Sequence, residues 1–230
     1  MCGRYTLSAP ADLLHDLFEL ETAVEVSLRY NIAPSQEAAA VRVDSSDGSR
    51  RLDHLRWGLV PFWAKDAGIG NRMINARAET VMDKPAYRSS FRRKRCLVIA
   101  TGFYEWQQTG GPKQPFFFQM TGGQPFAMAG LWDRWEKGDE PLETFTIITT
   151  HPNEVVEPVH RRMPVILQPT DYAAWLDPEQ DDKASLSSLL GPFPPALMEG
   201  YPVSTYVNNP ANEGPRCIEP MGQPPGLTSE

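Results

Sequence analysis

Proline limits this chain more than any other residue: 22 of its 230 positions carry one. Each fixes φ and removes a backbone donor, so long helices and uninterrupted central strands find little room. A loop-rich, strand-rich fold is therefore favoured over a helical bundle. Short segments rich in β-branched, aromatic or apolar residues recur at 38–43, 52–60, 96–105, 115–120, 125–132, 143–150, 163–168 and 202–207. Asp47-Gly48, Gly110-Gly111 and Gly122-Gly123 supply turn chemistry among them. Three helices are predicted. Ser8-Ala9-Pro10 opens the first, with Leu13, Leu14, Leu17 and Phe18 on one stripe, and the others lie around 171–176 and 181–190. The tail from Gly214 is expected to be irregular. The economical architecture is one α+β domain over 1–218, with a barrel-like, mostly antiparallel β core, flanking short helices and a C-terminal tail at 219–230.

Composition narrows the function classes. An apolar share of 41% can build a sizeable core, and no apolar run approaches the length of a membrane span. The start, Met-Cys-Gly-Arg-Tyr, has no apolar segment behind its arginine, so no secretory signal is expected. Cys2, Cys96 and Cys217 are too few and too scattered for a disulfide framework or a zinc site. A reduced, cytoplasmic protein without metal or cofactor is the expectation. The net charge of −7 argues against general nucleic-acid binding, but its distribution does not. Between Asn71 and Cys96, eight basic residues (Arg72, Arg77, Lys84, Arg88, Arg92, Arg93, Lys94 and Arg95) face two acidic ones, a local charge of +6 that leaves −13 for the remainder. The stretch is either a phosphate-binding face or a solvated charge run.

The chemistry-bearing candidate is Cys2. Once Met1 is removed, one residue presents an α-amine and a thiol two carbons apart. Such an aminothiol condenses with an aldehyde to an imine, and the thiol then closes a five-membered thiazolidine. An internal cysteine cannot do this, because its nitrogen is an amide. An α-amine near pKa 7.7–8.0 leaves a useful neutral fraction at cellular pH. Gly3 allows a close approach behind it. A chance second residue is the competing reading. Asn75, in Ile74-Asn75-Ala76-Arg77, can hold a sugar hydroxyl or the amine without adding charge, or simply end a turn. Glu105, flanked by aromatics in Gly102-Phe103-Tyr104-Glu105-Trp106, would have a raised pKa if desolvated, which suits proton transfer; otherwise it is a surface residue of an alternating strand. His160, leading into an apolar strand, can protonate the ring oxygen of a closed sugar, or be an ordinary loop histidine. Within 57–63, Trp57 is expected in the core and Trp63 at the surface, where it could stack on unpaired bases.

Ten stretches then recur in one order: Met1-Cys2-Gly3-Arg4-Tyr5, Tyr30-Asn31-Ile32-Ala33-Pro34, 57–63, 75–80, 96–106, 114–117, 129–132, 144–150, 160–167 and 203–209. In this combination the chain resembles the SOS-response-associated peptidase (SRAP) family over all but its last dozen residues. The resemblance implies covalent linkage to abasic sites in single-stranded DNA, shielding them from strand cleavage and error-prone bypass, by a single barrel-like domain. It implies the nucleophile position for Cys2 and supporting positions for Asn75, Glu105 and His160. Arg4, Arg77 and Arg162 match backbone contacts, Pro34 and Trp63 match base-stacking positions, and Asn31, Arg88 and Thr149 complete the DNA-binding set. A monomer is implied, cytoplasmic and nucleoid-associated when bound to DNA. Ile99-Ala100-Thr101, His151-Pro152 and Arg161 depart from the family pattern without touching the four central positions. Two other classes stay open: a cysteine peptidase limited to releasing its own Met1, with Cys2 and His160 as a thiolate pair, and a non-covalent reader of damaged or modified DNA.

Overall fold

The computed structural model describes residues 2–44, 46–108 and 110–222; Met1 and the tail residues 223–230 lie outside the described residues. In chain order the strands are β1 (Tyr5–Leu7), β2 (Arg29–Ile32), β3 (Glu37–Val43), β4 (Arg50–Trp57), β5 (Asn75–Arg77), β6 (Arg95–Ala100), β7 (Gly102–Gln107), β8 (Gln114–Met120), β9 (Phe126–Trp135), β10 (Leu142–Thr150), β11 (Met163–Pro164), β12 (Ile166–Leu167) and β13 (Met198–Pro202). Four short helices accompany them: α1 (Ala11–Phe18), α2 (Arg88–Arg93), α3 (Tyr172–Leu176) and α4 (Lys183–Ser188).

One sheet runs β13-β8-β7-β1-β2, the other β11-β10-β4-β3-β6-β9-β12. β9 also pairs with β10, from Leu142↔Trp135 to Ile147↔Gly130. That pairing closes β10, β4, β3, β6 and β9 into a barrel whose pairs are antiparallel except β4 with β10. The α+β class and barrel core are as expected.

The five-stranded sheet is buried on both faces, because successive side chains point to opposite sides. Phe103 and Phe118 stack at 5.2 Å in the main core, while their neighbours Tyr104 and Phe117 meet at 5.1 Å in a second cluster. Val203, Val207 and Cys217 cover that second cluster. The segment from Gly214 is therefore less irregular than expected. Pro215–Cys217 forms a tight 3₁₀ turn, and Pro220 bridges to Val203.

Other expectations need correction. The segment 96–105 is two strands, not one. At Thr101 the chain leaves the barrel for the other sheet, tied by Thr101 N donating to Thr6 O at 2.8 Å. The segment 163–168 is likewise split at Val165, whose N–H donates to Ile148 O at 2.9 Å. The strand expected over 202–207 ends at Pro202, and Thr205–Asn208 is a 3₁₀ turn. Ser8 does not cap α1; it bonds Thr101 Oγ1 through its N–H at 3.0 Å, and Pro10 precedes the helix. The helices expected near 171–176 and 181–190 form as α3 and α4, the latter capped by Asp182, whose carboxylate accepts from Ala184 N and Ser185 N.

The loop after β4 decides where β5 lies. Gly58 has φ 127°, and a Cβ there would sit 2.6 Å from Gly70 O. Two backbones thus touch where no side chain fits, pinching the loop and returning the chain beside β10. β5 then pairs in parallel with β10, Asn75 opposite Ile147 and Arg77 opposite Thr149. The N-terminal residues enter from the other sheet: Arg4 O accepts from Tyr104 N at 2.9 Å, and Tyr5 pairs with Phe103.

Candidate active site

Cys2 is fully buried, three residues before β1. Asn75, at the head of β5, donates its Nδ2–H to Cys2 O at 2.8 Å. Asn75 is itself placed by the β10 ladder and by Tyr87, whose hydroxyl donates to Asn75 O at 3.2 Å. The amide therefore fixes Cys2 through its carbonyl, leaving the thiol and the nitrogen unconsumed by that contact.

Glu105 comes from β7 in the other sheet and is 2% exposed. His160 follows the turn 154–159, which Asn153 organises by accepting from Val155 N and Val156 N. His160 N then donates to Val156 O at 2.9 Å. The ring nitrogen Nδ1 lies 3.6 Å from Glu105 Oε1, 3.2 Å from Arg162 N and 3.0 Å from Arg162 O. Burial drives both titrating groups toward their neutral forms. It pushes the Glu105 carboxyl up to about 7 and moves His160 below its ordinary value. The usual gap between the two groups is thereby closed, and near neutrality the carboxyl holds its proton part of the time. Burial, and then the Glu105 charge, also raise the Cys2 thiol well above its ordinary range. The thiol is held protonated.

The Glu105 shift has a stability consequence with a definite sign. The folded chain keeps this proton to a higher pH than the unfolded chain. The stabilisation is thus present below about pH 4.5 and is lost as pH rises to about 7. Relative to Glu105→Gln, the wild type is expected to lose on the order of 2–3 kcal/mol across that window and nothing further above it. Urea midpoints at pH 5, 6, 7 and 8 measure this; parallel profiles for the two proteins would contradict it.

Of the other residues singled out in the sequence, several gather around these four. Arg4 donates to Asn31 Oδ1 at 2.6 Å and Val207 O at 2.8 Å. With Glu105, Trp106, Lys113, His160 and Asn208 it lines a cavity of about 470 Å³. His160 also lines, with Arg77, Arg161 and Arg162, a second cavity of about 360 Å³. Arg162 is clamped by Glu79 (Nη2 to Oε2 at 3.0 Å) and by Thr149 O. Thr149 is buried and donates to Ala76 O at 3.3 Å. Asn31 is buried as well, its Nδ2 bonding the carbonyls of Val207, Asn209 and Asn212. It holds Arg4 and the loop behind it and faces no solvent. Pro34 is half-buried in a turn.

Trp57 is buried and Trp63 is 43% exposed, as the sequence suggested. Trp63 lines a separate groove with Phe62, Arg88, Arg92 and Arg93, so Arg88 and Trp63 lie outside both cavities at His160. The basic stretch is not one free face. Lys94 is paired with Asp133 at 2.6 Å, Arg93 with Glu179 at 2.7 Å, and Arg95 is buried among main-chain carbonyls. Counting charge does not reveal burial. Sequence reasoning missed Tyr87, Trp106, Lys113 and Asn208. Trp106 had a signal, since it ends the aromatic run around Glu105; Tyr87 and Lys113 had none.

Among the described residues no cluster of three His, Cys, Asp or Glu side chains is arranged to hold a metal ion, and no helix is long and apolar enough to cross a membrane. A barrel and a sheet that enclose a near-terminal cysteine beside a carboxyl–imidazole pair describe a narrow class of proteins. The chain belongs to the SOS response associated peptidase (SRAP) family, whose model matches residues 1–210. Its relatives include the abasic site processing protein YoqW of Bacillus subtilis (strain 168), 44% identical over 224 residues, which span 95% of this chain and 99% of YoqW. The abasic site processing protein HMCES of Gallus gallus is 36% identical over 206 residues, 79% of this chain and 61% of HMCES. A crystal structure of a protein from Bacteroides thetaiotaomicron superposes with a TM-score of 0.84 at 30% identity, covering 95% of this chain and 99% of its own.

Proposed function

We propose that this chain processes abasic sites in DNA, and that it does so by trapping the sugar aldehyde on Cys2 after Met1 has been removed. The carrying observation is the contact of Asn75 with Cys2 O beside the Glu105–His160 pair. It supports the reading by holding Cys2, which becomes terminal once Met1 is removed, next to groups that can pass a proton near neutral pH. Glu105 and His160 open the closed deoxyribose, His160 delivering a proton to the ring oxygen and Glu105 replenishing it. The Cys2 amine attacks C1′, water leaves, and an imine forms. The thiol then adds across the C=N bond, its proton passing to nitrogen, and closes the thiazolidine. One water is lost overall. Closing the ring removes the iminium that would otherwise drive β-elimination, so the strand stays intact.

The kinship with proteins named for abasic site processing supports the reading. The substrate proposed is the abasic site in single-stranded DNA, the acting species a monomer, and the compartment the cytoplasm. The exposed Arg77 and the half-buried Arg4 and Arg162 offer cations for the strand's phosphates. A Cys2–His160 thiolate pair is less favoured, because burial holds this thiol protonated.

The test is a denaturing gel of the protein incubated with a single-stranded oligonucleotide bearing one abasic residue. A slow-migrating conjugate is expected for the wild type. None is expected when an alanine is inserted between Met1 and Cys2, since the Cys nitrogen then becomes an amide. Undiminished conjugation by the insertion variant would reject the aminothiol mechanism.

A further inference from the structure

The cavity of about 360 Å³ beside His160 is lined by Arg77, His160, Arg161 and Arg162. Three of these four residues are guanidinium bearers, and no carboxylate is among them. Glu79 pairs with Arg162 and offsets one charge, leaving about two in excess at the opening. His160 adds none, because burial lowers its pKa.

That charge count points to a particular anion. An internal phosphodiester of DNA carries a single negative charge. A terminal phosphate monoester carries about −1.5 to −2 at pH 7, with a third accepting oxygen. The two guanidiniums left in excess are more than one diester neutralises, whereas a monoester's charge matches both. The cavity also shares His160, the imidazole proposed to act on the sugar, in its lining, which puts a phosphate on that same sugar within its neighbourhood.

We infer that this cavity selects abasic deoxyribose carrying a terminal phosphate monoester, as left at a broken strand end, and that Arg161 sets the selectivity. The inference rests on the abasic-site reading above. It deepens that reading by naming which abasic ends react fastest.

The experiment compares conjugation rates for single-stranded oligonucleotides whose terminal residue is abasic. One pair carries a 5′-phosphate, free or capped as its methyl ester; a second pair carries a 3′-phosphate, free or capped. Capping removes one charge and little else. For the wild type at low salt, the free phosphate is expected to react about five- to twenty-fold faster than the capped one at one of the two ends, the scale of one extra unit charge at roughly 5 Å in a partly solvated site. The end showing the preference identifies which phosphate the cavity takes. In Arg161→Gln the free-to-capped ratio should fall to about two. Equal rates for free and capped phosphates at both ends would overturn the inference, as would a preference that survives Arg161→Gln. Either result leaves the abasic-site reading standing if an internal abasic residue still conjugates. Failure of every substrate, internal ones included, would remove both.

Discussion

Cys2→Ser is expected to lose the denaturation-stable DNA conjugate entirely, yet to yield one when borohydride is present during the reaction. The serine retains the α-amine, so attack on the aldehyde and loss of water still occur. Without the thiol the ring does not close to a thiazolidine, and the imine hydrolyses on the gel. Hydride reduces that imine to a secondary amine, which survives. Asn75 still has the residue-2 carbonyl to hold, so the terminus stays placed. The wild-type to variant difference is at least a hundred-fold in stable product, on the scale of removing a covalent nucleophile. A heat-stable conjugate with Cys2→Ser in the absence of reductant would show that sulfur is not needed. Absence of any product with borohydride would show that the amine is not the attacking group.

Arg95→Met is expected to produce the largest loss of stability. Arg95 is 4% exposed, and its guanidinium bonds the carbonyls of Trp175 (2.6 Å), Phe91 (2.6 Å), Arg92 (3.0 Å), Asp177 and Gln180 (3.1 Å). Those carbonyls belong to the ends of α2 and α3 and the turn after α3, where helices leave acceptors without partners. One cation near two helix C-termini also meets both dipoles favourably. Methionine keeps much of the volume and removes every donor, so several buried carbonyls lose their partner together. A cost of about 3–5 kcal/mol follows, or roughly 10 °C in Tm for a chain of this length. Thermal unfolding followed by circular dichroism measures it. A change below about 1 kcal/mol would mean that water replaces the guanidinium without penalty.

The parts of the fold that were legible in the sequence are those set by local pattern. The β-rich punctuation, the stripe of Leu14 and Phe18 in α1, and the contrast of a buried Trp57 with an exposed Trp63 all follow from spacing and neighbours. The break at Thr101 was not legible, because an apolar run looks the same whether it serves one sheet or two. Contacts such as that of Thr6 with Thr101, 95 residues apart in sequence, mark the division. Arg95 was misread for a related reason: three of its five carbonyl partners lie on α3 and the turn after it, eighty or more residues further along. The four central site residues were picked out for their chemistry and by family likeness. Their mutual placement was not legible, since it depends on the pinch of Gly58 against Gly70 and on the turn that Asn153 holds.

The complete enclosure of Cys2 bears on a hazard any such reagent poses to its own cell. A terminal aminothiol left in water reacts with whatever small carbonyl compound drifts past, and each encounter would disable one molecule for good. In the chain with Met1 in place, Cys2 sits at 0% exposure between residues of two sheets. Under the chemistry proposed above, quarantine of this kind would turn an indiscriminate reagent into one that spends itself only on a carbonyl long-lived enough to be carried in on a polymer.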